Sequence, residues 1–182
     1  MQNDKALTSA FMTRIFLIGL MGSGKTYWGE RLAQLLRWRF ADLDRYIETK
    51  EKQSIPEIFS LQGEKHFRSL ESKYLRDFET MEQVVVAAGG GTPCFHNNMQ
   101  LMNGCGSTFY LKAKPETVSA RLKDEIHSRP LLKGKTVREL PAFFEQQLKE
   151  REPFYRLASH TIEAEKITSE NLPELFFLKP ES

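Results

Sequence analysis

The chain has 182 residues, with 26 Lys and Arg against 24 Asp and Glu and a formal net charge of +2. This length fits one α/β domain able to bury roughly 70% of its unfolded surface without disulfides or metals, and the near-neutral charge is too weak to imply nucleic acid or a membrane surface as the main partner. The two cysteines, Cys94 and Cys105, are not in a C-x-x-C pair, and the four histidines show no metal-ligand spacing. Reduced thiols in a cytoplasmic protein are therefore expected. The longest apolar run, around Ile15–Met21, is too short to span a bilayer. Met1–Met12 reads as a flexible leader without the apolar stretch of a signal peptide.

The run Arg14–Ile18 (RIFLI) predicts a buried strand, ended by Gly19 and a glycine-rich turn. Trp28, Leu32, Leu35 and Leu36 recur at helical spacing and predict a helix from about Lys25 to Arg37. Gly29 inside it costs about 1 kcal/mol against alanine, a cost that close packing on the strand would explain. Arg39–Leu43 reads as a second strand ending in Asp42-Leu43-Asp44. Ser54, Pro56 and Glu57 form a helix start with a capping box. Gly63 separates that helix from another over Glu64–Phe78. Gln83–Ala88 (QVVVAA) is a third buried strand, closed by Gly89-Gly90-Gly91. A short helix at Asn97–Met102, a strand at Ser107–Leu111 and a helix from Pro115 to about Lys123 follow. Asp124–Lys135 is polar and basic and reads as a mobile surface loop. Ala142–Glu150 is helical, with Pro153 forbidding continuation. Ser159–Glu163 is a fifth strand and Glu170–Leu178 a closing helix.

Strands alternating with helices, without hairpin signals, indicate a mostly parallel sheet covered on both faces. Ligands of such sheets bind beyond the carboxyl ends of the strands, where Gly19–Thr26, Asp42–Asp44 and Gly89–Gly91 lie. Gly19-Leu20-Met21-Gly22-Ser23-Gly24-Lys25-Thr26 fits G-x-x-x-x-G-K-[ST] between a predicted strand and a predicted helix. Its glycines let several N–H groups converge on one anion, and the helix start adds positive potential. Lys25 supplies a point charge for the β- and γ-phosphates, and Thr26 a hard oxygen for Mg²⁺.

Further residues bear on what the phosphoryl group is transferred to. If strand geometry continued, Asp42 and Asp44 would leave the chain on the same side, one carboxylate serving a magnesium shell and the other taking a proton from a hydroxyl. Taken alone, the pair reads better as an N-cap plus a solvated aspartate. Glu64, Phe67, Arg68 and Glu71 share a helix face, which without context means surface ion pairs worth a few tenths of a kcal/mol each. Gly89–Gly91 is either a flexible turn or a close backbone approach to a ligand. Arg151 neutralises a helix end or forks a carboxylate or phosphate.

In this order, Gly22-Ser23-Gly24-Lys25-Thr26, Asp42-Leu43-Asp44, Ile55–Phe59, Gly63-Glu64 with Phe67-Arg68 and Glu71, Gly89–Gly91, Arg129-Pro130-Leu131-Leu132, and Arg151 with Tyr155 resemble the shikimate kinase family from about Arg14 to Leu175. The resemblance implies a P-loop kinase fold of the α/β class, with five parallel strands in order 2-3-1-4-5 flanked by helices. It implies one domain over residues 13–178, an acceptor-binding region at about 42–80 and a mobile lid at about 123–135. It further implies a cytoplasmic, monomeric enzyme with ATP and shikimate as ligands and Mg²⁺ as cofactor.

Carried over residue by residue, the resemblance gives Gly22, Ser23, Gly24, Lys25, Thr26, Tyr27, Arg121 and Arg129 to the nucleotide, with Arg121 stacking on the base. Thr26 and Asp42 serve the metal. Asp44 binds acceptor hydroxyls and is the base. Arg68 and Arg151 grip the carboxylate, Glu71 holds Arg68, and Gly89, Gly90 and Gly91 offer backbone. Phe59 and Phe67 wall the acceptor pocket. The chain departs from the family pattern in having Ala87-Ala88 where a hydroxyl residue usually precedes the glycines, and in lacking a proline near Lys166–Ser169. A related small-molecule kinase, such as a gluconate kinase, and a nucleotide-binding regulator without transfer activity are the competing readings.

Overall fold

A computed structural model of the chain describes residues 13–126 and 129–177. The expected leader over 1–12, two positions of the expected lid and the last position of the expected closing helix lie outside these residues. Five strands, β1 (Arg14–Ile18), β2 (Arg39–Asp42), β3 (Val84–Ala87), β4 (Ser107–Lys112) and β5 (His160–Glu163), form one sheet in order β2-β3-β1-β4-β5. Every pairing in it is parallel. Ile15 to Ile18 and Val84 to Val86 are almost wholly buried, as expected for central parallel strands covered on both faces.

The register determines what meets at the carboxyl edge. Leu17 and Asp42 both pair with Ala87, and Ile18 pairs with Tyr110. The segments leaving β1, β2 and β3 therefore emerge side by side, with β1 between β3 and β4 at the point where the strand order reverses. That crevice is where such sheets bind ligands.

Helix α1 (Lys25–Leu36) packs on the sheet through Gly29, where an added Cβ would lie 2.6 Å from the Phe40 ring and 3.1 Å from Leu17 Cδ1. The contact accounts for a glycine in mid-helix. Helix α2 (Leu43–Glu51) begins where the sequence reads a strand through Leu43, but the N-cap reading of the aspartate pair holds: β2 ends at Asp42, which caps α2 by accepting hydrogen bonds from the N–H groups of Asp44 and Arg45. Asp42 and Asp44 thus do not alternate along one strand, because the chain has already turned into a helix between them. Helix α3 (Ile55–Leu75) carries the expected Ser54–Glu57 capping box and breaks at Gly63 (φ 78°, ψ 171°), so the two expected helices are two arms about one kink. Helices α4 (Asn98–Cys105) and α5 (Pro115–Leu122) follow.

The stretch after α5 is less loop-like than its composition suggests. Ile126 and Leu132 are buried, and Pro130–Leu132 forms a single 3₁₀ turn. Helix α6 runs from Leu140 to Tyr155, with Pro153 inside its last turn. Proline removes an N–H there, but Arg156 N–H still reaches Glu152 O, so the helix closes past it. Helix α7 (Leu172–Phe177) ends the described chain. No helix among the described residues is long and apolar enough to cross a membrane.

Gly29→Ala is expected to lower the unfolding free energy by about 1 kcal/mol, because overpacking costing about 1–3 kcal/mol outweighs the propensity gain of about 1 kcal/mol. Urea denaturation with an unchanged m-value would show it.

Candidate active site

The phosphate loop closes on itself. Gly19, Gly22 and Gly24 take φ of 136°, 75° and 99°, a region that side chains disfavour. A Cβ on Gly19 would sit 2.6 Å from Leu111 O, so β4 also demands glycine there. Lys25 folds back across the loop, its Nζ donating to Gly19 O (3.0 Å) and Leu20 O (2.8 Å). Burial pushes its ammonium down to about 8, against the pull of Asp44 and Asp42. The Thr26 hydroxyl donates to Asp42 Oδ2 at 2.7 Å. Ser23 is buried, its N–H bonded to Leu20 O and its hydroxyl without a protein partner.

Two cavities open on this edge. One, of about 490 Å³, is lined by the phosphate loop with Lys25, Thr26, Tyr27, Asp42 and Arg121. Arg121 donates to Gly22 O at 3.0 Å, which keeps its guanidinium on the lip of the loop. Tyr27 is half-exposed, with the Arg31 guanidinium 3.4 Å from its ring centre. The other cavity, of about 280 Å³, is lined by Phe59, Phe67, Arg68, Glu71, Gly91 and Arg151, among others. Phe59 and Phe67 form a continuous wall, their rings 4.9 Å apart. Met21, Asp44, Gly89, Gly90, Glu125 and Arg129 line both cavities, so the two meet there.

Arg68 is not on the surface. It is buried, gives Nη1 to Glu71 Oε2 at 2.7 Å, and bonds Glu64 Oε1 through Nε and Nη2 at 3.1 and 2.8 Å. Glu71 has no exposed surface, and its other oxygen accepts from the Thr92 hydroxyl. Surface ion pairs were the plain reading of this helix face. The kink at Gly63 and the packing of α3 place it inside instead. Arg129 lies at the mouth of both cavities, bonded through Nε and Nη2 to Glu125 Oε2 at 2.9 and 2.7 Å.

The glycine triplet separates these charges. An added Cβ on Gly89 would lie 2.7 Å from Glu71 Oε1 and 3.1 Å from Asp44 Oδ1. On Gly90 it would lie 3.3 Å from Arg151 Nη1, and on Gly91 2.5 Å from Arg68 Nη1. None of the three has positive φ. They are glycines for want of room, not for turn flexibility.

Asp44 sits in the first turn of α2, with its Oδ1 buried and unpartnered. Burial first, then Glu71 and Asp42, push its carboxyl from the ordinary 3.8 up to about 7, against Lys25 and Arg68. An acid poised near neutrality between a phosphate cradle and an arginine-lined cavity can exchange a proton with a hydroxyl held there. Two further residues brace the site. Thr92 secures Glu71, and Tyr155 donates to Gly90 O. The available signals were Thr92 directly following the triplet and Tyr155 standing one helical turn beyond Arg151.

The family model for shikimate kinase matches residues 21–176. A shikimate kinase of Parabacteroides distasonis is 44% identical over 160 residues, covering 88% of this chain and 92% of that protein. The crystal structure of shikimate kinase from Bacteroides thetaiotaomicron superposes with TM-score 0.85 at 39% identity, covering 92% of this chain and 99% of that one. Shikimate kinase from Acinetobacter baumannii in complex with shikimate gives TM-score 0.82 at 33% identity, over 93% and 92% of the two chains. With a phosphate cradle and a two-arginine cavity meeting at one aspartate, and with relatives this similar over nearly their whole length, the chain belongs to the shikimate kinase family.

Proposed function

We propose that this chain transfers the γ-phosphoryl group of ATP to the 3-hydroxyl of shikimate, giving ADP and shikimate 3-phosphate on the route to chorismate and the aromatic amino acids. The observation that carries the reading is the position of Asp44 on the wall common to both cavities. Shikimate is a small hydroxylated ring with one carboxylate. A cavity with Arg68, Arg151 and an aspartate is complementary to it. A gluconate kinase or a non-catalytic regulator has no comparable support from the family match. All the groups invoked come from one chain, which suits a monomer, and a cytoplasmic setting belongs to the same proposal.

On this reading the N–H groups of the phosphate loop and Lys25 cradle the β- and γ-phosphates, Lys25 exchanging its bonds to Gly19 O and Leu20 O for phosphate oxygens. Thr26 Oγ1 and the Asp42 carboxylate, 2.7 Å apart, are hard oxygen donors that fit Mg²⁺. They would hold it directly and through its water shell respectively. Bound Mg²⁺ neutralises charge on the β- and γ-phosphates. Arg68 and Arg151 grip the acceptor carboxylate, which aims its hydroxyl at Asp44. Asp44 accepts the hydroxyl proton as the oxygen attacks in line, and Arg129 turns from Glu125 towards the charge spreading over the transferred group.

The direct test is ADP release coupled to a reporter, with shikimate set against a panel of other hydroxy acids. Shikimate alone should stimulate turnover strongly, and another acceptor doing so in its place would overturn the assignment. In the free enzyme, kcat/KM should rise as pH passes about 7 and Asp44 loses its proton, then fall above about 8 as Lys25 loses its charge. Asp44→Asn should lower kcat by about 10²–10⁴-fold with ATP binding retained.

The same substitution should affect stability in a pH-dependent way. Asp44 holds its proton more tightly folded than unfolded, so its contribution becomes less favourable as pH rises from 3.8 to about 7 and is fully unfavourable above that. Asp44→Asn should thus raise the melting temperature of the ligand-free protein at pH 8, with little gain near pH 4. The penalty relieved is on the order of 4 kcal/mol. Arg68→Leu and Arg151→Ala should both raise acceptor KM on the order of 100-fold without a matching change for ATP. Only Arg68→Leu should lower the melting temperature markedly, because it strands Glu71 in the interior at about 3–5 kcal/mol. Thermal melts of both variants distinguish the cases.

A further inference from the structure

Tyr155 ends α6 with no exposed surface, and its ring packs against that of Tyr110, centroids 5.0 Å apart. Its hydroxyl donates to Gly90 O. A phenol oxygen that has given its proton can still accept from other donors. Arg151 stands four residues back on the same helix, so the two side chains share one face of it. A Cβ on Gly90 would lie 3.3 Å from Arg151 Nη1, so glycine, tyrosine and arginine meet at one point. Burial raises the phenol above its ordinary value of 10.0, which keeps it a donor at any working pH.

Arg151 makes no ion pair at 4.0 Å or less with a protein carboxylate among the described residues, in contrast to Arg68, which is held by Glu71 and Glu64. A long side chain without a fixed partner loses rotamer freedom when it takes a ligand, and that loss weakens binding. A neutral acceptor such as a phenol oxygen orients a guanidinium without neutralising it. The charge stays available to a ligand carboxylate, whereas a second glutamate would compete for it. The hydroxyl also fixes the Gly90 carbonyl. Because the peptide is planar, this sets the plane that carries the Gly91 N–H.

We propose that Tyr155 is a positioning residue: its hydroxyl locks Arg151 and the Gly90–Gly91 peptide into one unit that holds the acceptor's carboxylate. This rests on shikimate as the acceptor. Tyr155 does not touch the reacting atoms, and its effect passes through Arg151. The Tyr110 ring and the final turn of α6, closed past Pro153, hold the phenol itself in place.

The test is steady-state kinetics of Tyr155→Phe, which keeps the buried ring and removes the oxygen. Acceptor KM should rise about 10-fold or more, the size of effect for a hydrogen bond to a charged group, while ATP KM stays within about two-fold. A merely structural role would not produce the second signature. With an acceptor analogue whose carboxylate is replaced by a hydroxymethyl group, wild type and Tyr155→Phe should differ by less than about two-fold, because Arg151 then has nothing to grip. In an Arg151→Ala background, Tyr155→Phe should add no further loss.

An unchanged acceptor KM, equal rises for both substrates, or an undiminished effect on the analogue would each overturn the proposal. Wild-type turnover with shikimate is the internal control: its absence refutes the acceptor, whereas its presence with an indifferent Tyr155→Phe refutes only the role given to Tyr155. Should Tyr155→Phe not fold, fluorotyrosine at 155, which keeps the ring and weakens the oxygen as an acceptor, carries the same comparison with the same expected split.

Discussion

Asp44 stands where β2 gives way to α2, with burial first, then Glu71 and Asp42, raising its proton affinity and Lys25 and Arg68 lowering it. Three acids and two strong cations share a small volume at the carboxyl edge of the sheet, with Lys25, Arg68 and Glu71 buried. Charges so placed are costly unless each has a partner at short range. Asp42 takes the Thr26 hydroxyl and two N–H groups of α2, and Glu71 takes Arg68 and Thr92. Asp44 Oδ1 has no such partner. The site therefore carries an unpaid electrostatic debt at the atom that chemistry would use, and the surrounding residues are arranged to sustain it.

The glycine triplet follows from this crowding. Its three residues face Glu71 and Asp44, then Arg151, then Arg68, and any side chain there would push a charge out of place. Sheet register delivers the triplet to that spot: Ala87 pairs with both Leu17 and Asp42, so the backbone beyond β3 passes between the phosphate loop and the start of α2. A one-residue slip of β3 would send every buried side chain of that strand to the opposite face. Core packing and site geometry are consequently fixed by the same pairing.

Much of this was legible in the sequence, because its strongest signals are local. The phosphate loop has a spacing that few other structures need, and the strands around it are apolar runs with clear stops. The capping box at Ser54 and the glycine break at 63 are likewise short-range, and both were found. Where sequence and structure part, either one residue serves two elements at once or packing far along the chain decides. Helix α2 was hidden because Asp42 serves as both strand end and helix cap, although Leu43 and Ile47, both buried at helical spacing, were its signal. Arg68 and Glu71 have the spacing of surface ion pairs, and only the packing of α3 makes them interior. Pro153 reads as a stop but lies within the last turn of α6, where the following turn bond survives without its N–H.

The position-44 carboxyl, its Oδ1 buried, is held near neutrality where the two cavities meet. The most direct measurement is a pH titration of the ligand-free protein followed by carboxyl-carbon NMR, with Asp44→Asn identifying the resonance. The expected midpoint for Asp44 is about 7. A midpoint near 3.8, the ordinary value, would mean that the carboxylate is solvated and ionised throughout, and would contradict the account.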